Sequence, residues 1–91
     1  MSKPLPKVSE QVVANRFEGN EVVIVDLGAK RYYTLNETAA LVWTALEAED
    51  TEDAIVARMA ADYEVTPEQA RASITRLIGD FRDLQLLAPE A

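Results

Sequence analysis

The chain of 91 residues contains no cysteine and no histidine. The first absence removes a disulfide framework and any thiolate metal site. The second removes the commonest metal ligand and the commonest general base. Together they argue against catalysis by this chain alone. Glycine is scarce, at three residues, and none sits in a phosphate-cradling loop or a nucleophile elbow. No apolar run approaches the roughly 18 residues of a membrane span, and the opening "MSKPLPKVSEQ" lacks the apolar centre of a secretory signal. A cytoplasmic protein without a membrane segment, a cofactor or a metal is expected. Cations are also in short supply: nine Lys and Arg stand against sixteen Asp and Glu, a formal charge of −7. A nucleic-acid reader needs a basic patch or stripe, so this balance disfavours one.

The acidity is unevenly spread. Residues 1 to 35 hold five cations and four acids, a balance of +1, whereas residues 36 to 91 hold four arginines and twelve acids, a balance of −8. Apolar residues make up 48% of the chain, enough for one modest core at this length and too little for two. A flexible arm is expected over residues 1–7, with Pro4 and Pro6, followed by a single domain over residues 8–88.

Residues Gln11 to Glu18 read as a first strand, and Gly19-Asn20 as a turn. "EVVIVDL", Glu21 to Leu27, is the clearest strand, because β-branched residues follow one another without a helix former. Gly28 to Lys30 is a short turn, and Arg31 to Leu35 returns as a third strand. Turns this short predict an antiparallel meander with the first and third strands at its edges.

From Asn36 the periodicity becomes helical. Asn36 is a favoured N-cap, and Ala39, Val42, Trp43 and Leu46 share one face. Thr51 caps a second helix whose buried stripe is expected to be Ile55, Val56, Met59 and Tyr63. "TPEQ", Thr66 to Gln69, is a capping box with proline at the first helical position. The third helix, Pro67 to Gln85, then runs with Ala70, Ile74, Leu77, Phe81 and Leu84 as its stripe. Three strands followed by three helices, with the helices on one face of the sheet, make an α+β domain.

Three features are candidates for function. In the edge strand "RYYTL" alternation puts Tyr33 and Leu35 on one face and Tyr32 and Thr34 on the other. Core packing plus one surface aromatic explains that pattern, yet an edge strand with an aromatic wall also suits the addition of an extended peptide. In the second strand, Val23, Val25 and Leu27 are expected to face the helices. That leaves Val22 and Ile24 outward beside Tyr32 as a surface for partner docking or a weak homodimer. On the third helix, Arg71, Thr75, Ile78 and Arg82 flank the core stripe, and Ile78 fits a groove wall better than a solvated face.

The segments "VVIVDL", "YYTLNETAALVWTALE" and "IVARMAADYEVTPEQARASITRLIGDFRDLQLL" resemble the PqqD-like family of RiPP recognition elements, which bind ribosomally made peptides. The likeness covers about residues 10 to 87 and is nearest to the small stand-alone leader-binding proteins of lasso-peptide biosynthesis. It implies a winged helix-turn-helix-like fold that accepts a precursor's leader peptide as an antiparallel strand on the third strand, against the third helix. The resemblance assigns Lys30, Arg31, Tyr32, Tyr33, Thr34 and Leu35 to the docking strand and Arg71, Ile74, Thr75 and Ile78 to the helix wall. Trp43 and Leu46 become structural. It further implies delivery of the leader to a separate enzyme, either a transglutaminase-like leader peptidase or another modifying enzyme such as a radical SAM protein. The same topology serves winged-helix DNA-binding regulators, which is the competing expectation. Against it, Arg71, Arg76 and Arg82 on the third helix are offset by Glu68, Asp80 and Asp83.

Overall fold

The computed structural model describes residues 5–17 and 21–88. Most of the expected arm and the Gly19-Asn20 turn lie outside the described residues. Within them the order is β1 (Val12–Arg16), β2 (Val22–Asp26), β3 (Arg31–Leu35), α1 (Glu37–Glu47), α2 (Glu52–Tyr63) and α3 (Pro67–Asp83). The strands form an antiparallel sheet in the order β1-β2-β3. This is the α+β architecture that the periodicities predict, with the winged-helix character that the family resemblance implies.

Each helix starts where local chemistry says it should. Asn36 Oδ1 accepts the Ala39 N–H at 2.9 Å, and Thr51 Oγ1 accepts the Ala54 N–H at 3.2 Å. Thr66 and Gln69 complete a reciprocal box, at 3.1 and 3.0 Å. Such caps satisfy donors that the first helical turn leaves unpaired.

The helix ends are less orthodox. α1 and α3 stop in paired reverse hydrogen bonds, Asp50 N–H to Ala45 O with Glu49 N–H to Leu46 O, and Leu86 N–H to Phe81 O with Gln85 N–H to Arg82 O. Such closures favour glycine at the left-handed position, yet Glu49 and Gln85 occupy it here. Glu64 ends α2 in the same left-handed conformation, with φ of 52°. Leu86, just beyond α3, is fully buried and anchors the chain's return.

One core holds the layers together. Trp43 lies at its centre, edge-on to Phe81 with ring centroids 5.2 Å apart. Around the pair are Val42 and Leu46 from α1, Ile55 and Met59 from α2, Ile74 from α3, and Val22, Ile24 and Leu35 from the sheet. Burying each large aliphatic or aromatic side chain contributes about 1.5–3 kcal/mol.

Two sequence expectations are reversed. Val22 and Ile24, expected outside, are buried at 4% and 0% exposure, while Leu27, expected inside, is 60% exposed and Val23 and Val25 are half-buried. Asp26 shares the inner face with Val22 and Ile24. Its Oδ1 accepts the N–H groups of Gly28 and Ala29 at 3.0 and 3.1 Å, so a buried carboxylate is satisfied by the turn that follows it. With Val22 and Ile24 in the core, the surface expected to support a homodimer is not on the outside. On the helices, Tyr63 and Leu84 leave the expected stripes for the surface, and Ile78 enters the core at 7% exposure. Leu77 and Ile78 are neighbours about 100° apart on the helix, and Ile78 takes the side that enters the buried cluster while Leu77 packs at its margin.

Residues 7–9 pair with residues 86–88. Ser9 N–H donates to Leu86 O at 3.0 Å, Ala88 N–H donates to Lys7 O at 2.7 Å, and Val8 faces Leu87.

Candidate functional site

The backbone of β3 decides what the sheet can still bind. Phe17 N–H donates to Glu21 O, and Leu27 N–H donates to Gln11 O, each at 2.8 Å. In an antiparallel ladder the hydrogen-bonding direction alternates along the strand. Glu21, Val23, Val25 and Leu27 therefore bond toward β1, and Val22, Ile24 and Asp26 bond toward β3. Their partners in register are Leu35, Tyr33 and Arg31. Tyr32 and Thr34 are left with both N–H and C=O aimed away from the sheet.

That window is two residues wide. Before it, Lys30 takes a left-handed conformation, with φ of 57°. After it, Asn36 O accepts the Ala40 N–H at 2.8 Å and is already part of α1. The opposite edge is partly occupied by its own chain. Val12 N–H donates to Ser9 O at 3.2 Å, and the Arg16 guanidinium binds Glu47 at 2.6 Å and Thr44 at 3.1 Å. Both edges keep outward backbone groups, Tyr32 and Thr34 on β3 and, by the same alternation, Ala14 and Arg16 on β1, where the Val12 N–H is already taken.

The side chains of β3 divide as alternation requires. Leu35 is buried, Tyr33 half-buried against the core, and Arg31 exposed at the start of the same face. Tyr32, 75% exposed, and Thr34 lie on the open face. There Tyr32 stands in register with Val25, and Val25 with Val13, making an apolar cross-strand row. The sequence pointed to an apolar strip but assigned it to the wrong pair, Val22 and Ile24.

On α3 the four candidate residues have different surroundings. Arg71 is committed to α2, bonding Glu52 at 2.9 Å and Asp53 at 3.2 Å. The hydrogen bond to Asp53 and the charge of Glu52 raise its pKa above the ordinary guanidinium value, so it stays charged. Thr75 is exposed and lines a shallow hollow of about 550 Å³ with Glu68, Arg71, Ala72 and Arg76. Ile74 and Ile78 belong to the same buried cluster as Leu35. A ligand reaches them only after the core surface shifts. Half-buried Leu77 and exposed Leu84, on the other flank, offer apolar surface without such a shift. Sequence periodicity hid them by counting both as core.

Among the described residues no group of three or more acidic side chains is arranged to hold a metal ion, and no helix is long and apolar enough to cross a membrane. The arrangement is suited to holding an extended chain.

Comparison with known proteins agrees with this geometry. The family model for coenzyme PQQ synthesis protein D (PqqD) matches residues 21–87. Among solved structures, TbiB1 in complex with the TbiA(beta) leader peptide is similar at 25% identity and a TM-score of 0.85, covering 93% of this chain and 98% of that one. A lasso peptide synthetase B1 complexed with the leader peptide is similar in fold at 20% identity and a TM-score of 0.82, covering 91% and 96% of the two chains. No curated protein matches the sequence.

Proposed function

We propose, for a chain that belongs to the PqqD family, that this protein is a non-catalytic adaptor that binds the leader of a ribosomally made precursor peptide in lasso-peptide biosynthesis. The observation that carries the reading is the free edge of β3, where Tyr32 and Thr34 direct four backbone groups outward. A leader running antiparallel to β3 satisfies them and forms a fourth strand. Main-chain bonds of this kind give affinity with little dependence on the leader's sequence. Two solved relatives in fold are themselves leader-peptide complexes, which supports the reading.

In this reading Lys30 to Leu35 form the docking strand, and Tyr33 contributes the apolar surface beside it. Thr75 lines the α3 side, and Ile74 and Ile78, buried beneath it, come into contact only if the core surface shifts on binding. Arg71 braces α3 on α2. The chain has no histidine or cysteine, so the covalent chemistry falls to a partner enzyme, a transglutaminase-like leader peptidase or another peptide-modifying enzyme.

The test is fluorescence anisotropy of a labelled leader peptide, taken from any short precursor reading frame encoded beside the gene, with labelled duplex DNA in parallel. Saturable leader binding without DNA binding supports the adaptor. DNA binding alone overturns it in favour of a winged-helix regulator.

A further inference from the structure

Four of the eight cations among the described residues are held by carboxylates. Lys7 pairs with Glu49, Arg16 with Glu47, Arg58 with Asp62, and Arg71 with Glu52 and Asp53. Among the described residues Lys30, Arg31 and Arg76 have no such partner, although acids outnumber cations by sixteen to nine. Two of the three are adjacent, at the start of β3. The nearest candidate partner in register, Asp26, sits opposite Arg31 but gives Oδ1 to the Gly28 and Ala29 N–H groups.

Register turns this into a statement about the ligand. Residues directly opposite one another in a ladder project to the same face. In a leader antiparallel to β3, the residue opposite Leu35 comes first, the residue opposite Tyr33 two positions later, and the residue opposite Arg31 two positions later again. All three project to the core side of the sheet. The first two meet the apolar surface of Leu35 and Tyr33, and the third meets the free guanidinium of Arg31.

Resting on the leader-binding reading, we propose that the recognised segment has the pattern apolar-x-apolar-x-acidic, read from its N-terminus, with Asp or Glu paired to Arg31. The carboxylate sets the register and the polarity of the added strand, which backbone bonds alone leave poorly specified. It also counters the repulsion that a chain of charge −7 exerts on an acidic peptide.

The experiment is selection from a displayed library of random twelve-residue peptides, with the full chain and with its Arg31→Glu variant as baits. The wild-type chain enriches Asp or Glu two positions after the second apolar residue. Arg31→Glu shifts that position to Lys or Arg. Anisotropy with one selected peptide then shows about two- to fivefold weaker binding on replacing its acid by Gln or Asn, the range of an exposed ion pair. Circular dichroism verifies that the variant, changed at an exposed side chain, is folded. Enrichment of the apolar pair with no preference at the third position, or an acidic preference that Arg31→Glu leaves unchanged, overturns the pairing while the adaptor stands. Failure to enrich any peptide overturns the adaptor reading, and the pairing with it.

Discussion

Replacing Thr34 with proline separates binding from folding. Thr34 N–H points out of the sheet, so proline removes no bond to β2, and Tyr33 already has the extended backbone that a following proline prefers. The leader loses one donor. A typical hydrogen bond contributes about 0.5–1.5 kcal/mol net, and the leader carbonyl left buried without a partner costs about 1–3 kcal/mol. At 1.4 kcal/mol per factor of ten, Kd rises by about tenfold to a hundredfold. Tyr33→Pro is the internal control. Its N–H bonds to Ile24, so proline there breaks the ladder between β2 and β3 and unfolds the sheet. Leader binding is read by anisotropy and folding by thermal melting followed in circular dichroism. A folded Thr34→Pro protein with unchanged Kd would refute the edge-strand argument, as would a Tyr33→Pro protein that melts like the wild type.

Other substitutions test the scaffold. Glu64→Gly relieves a left-handed non-glycine residue and removes an acid from a helix C-terminus; it should stabilise by about 1 kcal/mol and raise Tm by about 4–8 °C, measured by calorimetry. Thr66→Ala breaks the capping box and should cost about 1 kcal/mol in urea unfolding. Trp43→Ala, which empties the centre of the core, should cost about 3–5 kcal/mol and leave little folded protein at 37 °C. Ile78→Asp places a charge in the core and should lower Tm steeply, so any loss of leader binding follows from unfolding.

The parts of the fold that could be read from the sequence are those fixed within a few residues. Asn36, Thr51 and the Thr66–Gln69 box bond to N–H groups three positions away, and nothing distant competes with them. The strand order follows from turns too short for any other connection. The face of β2 was unreadable because "VVIV" is apolar on both sides and its one polar residue is buried by a local bond. The choice between Leu77 and Ile78 was equally closed, since both are apolar and only tertiary packing ranks them. For the site, alternation identified Tyr32 and Thr34 as a pair. Their outward backbone followed only from the hydrogen bonds at both ends of β2.

The clasp between residues 7–9 and 86–88 brings the two ends of the described chain side by side. Entry and exit at one place make the unit a cassette. It can be spliced into a surface loop of a larger enzyme, or opened at the β2–β3 turn and rejoined through a short linker, without stretching the core. Tethered in that way, the docking strand holds its peptide near a chosen active site at a concentration set by linker length.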